Sequence, residues 1–81
     1  MTNRTEVAAA APVHVLINGA LVRRRRQSLG ETQASLSAKV PMTDAYLSHI
    51  ETGRRKSASP AMARRLAKAL GMTIDQIRAT P

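Results

Sequence analysis

Cysteine, phenylalanine and tryptophan are absent from the 81 residues, and Tyr46 is the only aromatic. Without thiols there is no disulfide framework, no cysteine zinc site and no thiolate nucleophile, a usage compatible with a reducing cytoplasm. Without large rings the core has to come from Leu, Ile, Val, Met and Ala, a composition that suits helices packed at short range. No apolar run reaches the length of a membrane span, or of a signal peptide's apolar region followed by a cleavage site. The expectation is therefore a soluble, cytoplasmic protein with no membrane partner. Catalytic sets are missing as well. There is no histidine beside a plausible catalytic serine and carboxylate set, no glycine-rich phosphate loop and no pair of acids in a predicted cleft. His14 and His49 are too few for a metal site, so neither metal nor other cofactor is expected, and the chain does not read as an enzyme.

Acidic residues are also scarce, five against thirteen Lys and Arg, for a formal net charge of +8. Between Arg23 and Lys68 stand eleven basic and three acidic residues, so the whole excess lies in the central stretch. Such a field attracts polyanions. Nucleic acid is the favoured partner, because neutralising phosphates releases condensed counterions, while a merely solubilising surface, or an anionic membrane surface as partner, is the plainer alternative. A chain of this length makes one small domain with a modest core.

Residues 1–12 lack both a hydrophobic period and turn chemistry, and read as a disordered tail. Residues 13–17, Val-His-Val-Leu-Ile, form a short, mostly β-branched run between Pro12 and Asn18-Gly19, and read as a strand. This strand has no evident partner in the chain. Two uses are open to it: pairing with its copy in a second subunit through Val13, Val15 and Ile17, or lying as an extended arm on the helices. Residues 18–79 carry helical signals throughout, and 80–81 form a short tail.

Asn18 can cap a helix that stops at Gly30, with Val22 and Leu29 on one face and Arg25 and Arg26 at its edges. An arginine placed there needs an acidic partner. Thr32 opens a second helix with an apolar pair at Leu36 and Val40, and Pro41 forces the chain out of that helix at Val40. Thr43 caps a third helix that ends at Gly53. At about 100° per residue this third helix puts Tyr46, Leu47 and Ile50 on one side, and Asp44, Ala45, Ser48, His49 and Thr52 on the other. One face is made for burial. The other carries short side chains with hydrogen-bonding capacity, suited to lying close against a surface and reading it. Helix, tight turn and second helix form the motif that lays its second helix in the DNA major groove. A polar loop with Arg54, Arg55 and Lys56 follows. Ser59-Pro60 then starts a helix with Met62, Leu66 and Leu70 at i, i+4, i+8, and Thr73 to Gln76 forms a capping box for a short last helix carrying Ile74 and Ile77.

Three motifs in order, Gly30-x-Thr32-Gln33-x-x-Leu36, then Thr43-x-x-Tyr46-Leu47-Ser48-x-Ile50-Glu51-x-Gly53-x-Arg55, then Leu66-Ala67-Lys68-Ala69-Leu70-Gly71, resemble the XRE, or Cro and C1 repressor, helix-turn-helix family over about residues 19 to 79. The resemblance implies an all-α fold, a five-helix lambda-repressor-like domain, here with a short N-terminal β-strand or arm. It implies that Gln33 contacts a phosphate with its side chain and backbone N–H, that Asp44, Ala45, Ser48 and His49 face base edges, and that Thr52, Arg54, Arg55 and Lys56 face the DNA backbone. It also implies that Arg26 pairs with Glu51. With the capping residues Thr32 and Thr43, these complete the candidate DNA-contact set. The chain departs from the family pattern twice: Pro41 stands where glycine is usual, and the loop after Gly53 is one residue longer than the commonest form.

The reading that follows is a sequence-specific binder of double-stranded DNA, a phage or bacterial repressor or Cro-like regulator, acting as a homodimer on an inverted-repeat operator. Two alternatives stand beside it. An antitoxin would bind DNA with this domain and a protein toxin with its arm, and a nonspecific architectural binder would show little preference among sequences.

Overall fold

The computed structural model describes residues 14–79. The expected disordered tail at 1–12, Val13, and the tail at 80–81 lie outside the described residues. In chain order the elements are β1 (Val15–Leu16), α1 (Gly19–Ser28), α2 (Gln33–Lys39), α3 (Asp44–Thr52), β2 (Ser57–Ala58), α4 (Pro60–Ala69) and α5 (Ile74–Ile77).

Each of the five helices starts at a residue whose side-chain oxygen accepts from a first-turn N–H: Asn18, Thr32, Thr43, Ser59 and Thr73. Caps of this kind contribute about 1 kcal/mol each, which matters for helices of four to ten residues that would not persist alone. The helix ends differ. α1 closes on Gly30 at φ 73°, with the Gly30 N–H bonded to the Gln27 carbonyl and the Glu31 N–H to that of Arg26; glycine enters this left-handed region without a Cβ penalty. At the end of α2 the proline permits only half of that arrangement. The Met42 N–H still reaches back to the Ser37 carbonyl at 2.9 Å, but position 41 has no N–H to give. Val40 keeps near-helical angles, φ −86° and ψ −16°, despite the proline after it. The expected exit from helical geometry at Val40 is thus postponed by one residue, because Val40 still donates to Leu36 and is fully buried.

The core is aliphatic: Ile17, Val22, Leu36, Val40, Leu47, Ile50, Leu66, Leu70 and Ile77, with Ala58, Ala63 and Ala67 filling the close approaches. Each fully buried Leu or Ile contributes about 2 kcal/mol relative to exposure. Tyr46 and Met62 are half-buried at its margin. Leu29, expected on the buried face of the first helix, is 44% exposed. It is the C-cap residue, where the chain has already turned away from that face.

β1 overturns the expectation of a strand without a partner in its own chain. It pairs antiparallel with β2, Val15 opposite Ala58 and Leu16 opposite Ser57, and the Ile17 N–H donates to the Lys56 carbonyl at 2.9 Å. On its other edge the Leu16 carbonyl accepts from the Ala79 N–H, and Ile17 bridges Arg78. Both sides of the run thus carry partners from its own chain among the described residues. The pairing was hidden because Ser57-Ala58 has no strand character of its own. Its extended conformation comes from backbone pairing with β1 and from the burial of Ala58.

Candidate nucleic-acid interface

α3 is held from behind and open in front. Leu47 and Ile50 are buried, while Asp44, Ala45, His49 and Thr52 are exposed and Ser48 is half-buried. Behind the helix, Arg26 on α1 grips Glu51: its Nε donates to Oε2 at 2.7 Å and its Nη2 to Oε1 at 3.0 Å. A third donor, Nη1, reaches the Glu31 carbonyl at 2.9 Å. The Glu51 carboxylate raises the affinity of this guanidinium for its proton, chiefly through the hydrogen bonds. With Arg26 9% and Glu51 6% exposed, the pair lies within the fold, and its bidentate geometry offsets the desolvation of both charges.

Gln33 joins the same network, its Nε2 donating to Glu51 Oε1 at 3.1 Å. Its side-chain amide is thus engaged inside the fold, while its backbone N–H at the start of α2 has no acceptor among the described residues. Thr32 and Thr43 turn their hydroxyls inward to cap α2 and α3, accepting from Ser35 and Tyr46 at 3.0 Å. The Thr52 hydroxyl donates to the Ser48 carbonyl of its own helix at 2.9 Å.

Asp44 is tied in a way that spacing did not reveal. Ser37, buried on α2, donates to its Oδ1 at 2.5 Å and also bonds the Ala34 carbonyl. The carboxylate therefore bridges the two helices across the Pro41 turn, besides complementing the dipole of α3 from its first turn. Ser37 and Asp44 are seven residues apart with a turn between, so no helical period links them.

The cations after Gly53 are also anchored. The Arg55 N–H donates to the His49 carbonyl at 2.9 Å, and the Arg55 guanidinium lies over the Tyr46 ring, 4.8 Å from its centroid. Lys56 gives its carbonyl to Ile17. One end of the loop is thus fixed to α3 and the other to β1. Arg54, Arg55 and Lys56 keep exposed side chains, so a short basic segment stands fixed beside the open face of α3. The N-terminal run, which the sequence presented as an orphan, supports this segment. Arg25 has a separate structural use, its Nε donating to the Leu70 carbonyl at the end of α4 at 3.0 Å.

Among the described residues no three His, Cys, Asp or Glu side chains converge as metal ligands, and no helix is long and apolar enough to cross a membrane.

The family model of a helix-turn-helix domain matches residues 19–79. Among solved structures, the chain is similar to SinR, a master regulator for biofilm formation crystallised in complex with DNA, at 21% identity and a TM-score of 0.67, covering 70% of this chain and 90% of that one. At that identity the likeness is one of fold. The clp gene regulator ClgR from Corynebacterium glutamicum matches at 29% identity and a TM-score of 0.66 over 72% of this chain and 61% of its own. The restriction-modification controller protein C.AhdI from Aeromonas hydrophila matches at 26% identity and 0.67 over 72% and 86%. No curated protein sequence matches significantly.

Proposed function

The chain belongs to the helix-turn-helix family of XRE, or Cro and C1 repressor, type, whose members are DNA-binding transcription regulators, and from that premise we propose that it represses by occupying a specific double-stranded operator. The observation that carries this reading is the pairing of an open polar face, Ala45, Ser48 and His49 on α3, with a fixed basic segment, Arg54 to Lys56. Short side chains let the helix approach base edges, while cations at its end take phosphates and set the register.

In this reading the roles are divided. His49 and Ser48 face bases, Ala45 allows close approach or meets a thymine methyl, and Arg54, Arg55 and Lys56 contact the backbone together with the Gln33 N–H. Asp44 serves mainly to brace the turn, since its carboxylate is engaged by Ser37 and would be repelled by phosphate. Thr32, Thr43 and Thr52 set local geometry beside the DNA, because their hydroxyls are used within the fold.

A helix of nine residues covers only a few base pairs, so specificity among many competing sites requires two copies. The operator is then an inverted repeat whose half-sites lie about 34 Å apart, one helical turn. Selection of bound sites from a random DNA pool, followed by competition between selected and random duplexes, tests the reading. An inverted repeat preferred by at least about a thousandfold over random DNA is expected. Equal affinity for both would replace it with a nonspecific architectural binder.

A further inference from the structure

Exposed cations stand beside α3, on α1 at Arg23 and Arg24, and around the far end of α2 and the second half of α4. The proposed repressor function does not use the last group. Of the four acidic residues among the described ones, Glu51 is held by Arg26, Glu31 by Lys39, Asp75 by Arg78, and Asp44 by the Ser37 hydroxyl. No carboxylate is left for α4, and Arg65 and Lys68 have no acidic partner among the described residues. Three residues apart, they share one helix face. With Pro41 and Ala69, the buried Val40, and Lys39, which Glu31 engages, they line a cleft of about 420 Å³.

None of the candidate DNA-contact residues lines this cleft. Lys39 is about 9 Å along α2 from Gln33, whose side chain reaches Glu51 near the end of α3, and Lys68 is about 12 Å along α4 from Pro60, which follows β2. We infer that the cleft docks an acidic segment of a partner protein, one that places an apolar side chain against Pro41 and Ala69 and carboxylates against Arg65 and Lys68. The charge of Arg65 and Lys68 and the apolar surface of Pro41 and Ala69 together select this occupant. A DNA backbone supplies the anions but nothing for the apolar surface. A small ligand needs near-complete enclosure, whereas Lys39, Pro41, Arg65 and Lys68 are exposed. A second copy would bring its own +8 and no uncommitted carboxylate among the described residues.

The test uses the full chain and two fluorescently labelled synthetic peptides, one of repeated Glu-Leu-Glu and one with serine in place of leucine, read by anisotropy at physiological salt. Arg65→Glu/Lys68→Glu should weaken binding of the leucine peptide by about tenfold or more, since two attractions become two repulsions. Arg23→Glu/Arg24→Glu makes the same charge change at exposed positions of α1 and should weaken it by less than about threefold. The serine peptide should bind the unaltered protein about tenfold more weakly than the leucine peptide. Arg65→Gln/Lys68→Gln, which removes charge without reversing it, should give the same ranking at smaller amplitude and serves if the reversal disturbs folding by circular dichroism. Equal losses from the cleft and α1 variants, equal binding of the two peptides, or a greater loss of duplex DNA affinity in the cleft variant than in the α1 variant would each overturn the inference. The last outcome would assign the cleft to nucleic acid.

Discussion

Arg26 and Glu51 form a two-point ion pair across α1 and α3, with the Glu51 side chain only 1% exposed. Breaking one half leaves a buried charge without its partner. Glu51→Ala is therefore expected to lower stability by about 3 kcal/mol, several times the loss from an exposed pair. Replacing both residues by apolar side chains of similar volume, Arg26→Met with Glu51→Leu, should recover most of it. Denaturant titration of the two variants and the parent checks this, and a Glu51→Ala variant as stable as the parent would count against it.

Gly19 sets the contact between the same two helices. A Cβ built there would lie 1.9 Å from the Ile50 carbonyl oxygen and 3.2 Å from the Glu51 Cα, so the backbone itself must shift. Gly19→Ala should cost about 1–3 kcal/mol, even though alanine is the better helix former. A melting temperature that rises in this variant would mean that α1 starts farther from α3.

The N-terminal strand yields a contrast within three residues. Ile17 is 6% and Leu16 43% exposed. Ile17→Ala should therefore cost about 2–5 kcal/mol, and Leu16→Ala much less. Removing residues 1–17 should destabilise the domain and also weaken binding to duplexes of any sequence, because the Lys56 carbonyl loses the Ile17 N–H that fixes the basic loop. Thermal melts and nonspecific DNA titrations separate the two effects.

Arg55 and His49 should differ in kind. Arg55→Ala is expected to weaken binding to selected and random duplexes alike and to reduce the salt dependence by about one unit of slope. His49→Ala should cost about 1–3 kcal/mol mainly on the selected site. Tyr46→Leu keeps a side chain at the core margin but frees the Arg55 guanidinium from the ring, and should show a milder form of the Arg55 effect. Equal losses on both duplexes for His49→Ala would remove it from base reading.

Glu31 provides a pH dependence. Hydrogen bonds from Lys39 and then Ser35 hold its carboxyl below its ordinary value of 4.5. A lowered folded-state pKa gives stability that is present above about pH 4.5 and is lost as pH falls through the lower value. The pair is near the surface, so salt should reduce the effect. Melting temperatures recorded on acidification should fall less steeply for Glu31→Gln than for the parent, and parallel curves would mean that the pairing contributes nothing.

Much of this architecture is legible in the chain itself. Caps at Asn18, Thr32, Thr43, Ser59 and Thr73 and glycines after the helices are local signals, satisfied by atoms a few residues away, so helix positions follow from sequence. The two faces of residues 44–52 follow from helical period alone, and so does the candidate reading surface. What the sequence did not contain is contact between segments that no period relates. The partner of residues 15–17 was decided only in the fold, since Ser57-Ala58 becomes a strand by being laid against β1, and the basic loop takes its fixed position from that pairing. The same holds for Ser37 bridging to Asp44, for Arg55 over Tyr46, and for the cleft between the Pro41 turn and α4. Each joins residues whose separation in the chain says nothing of their distance in space, and packing of the aliphatic core brings them together.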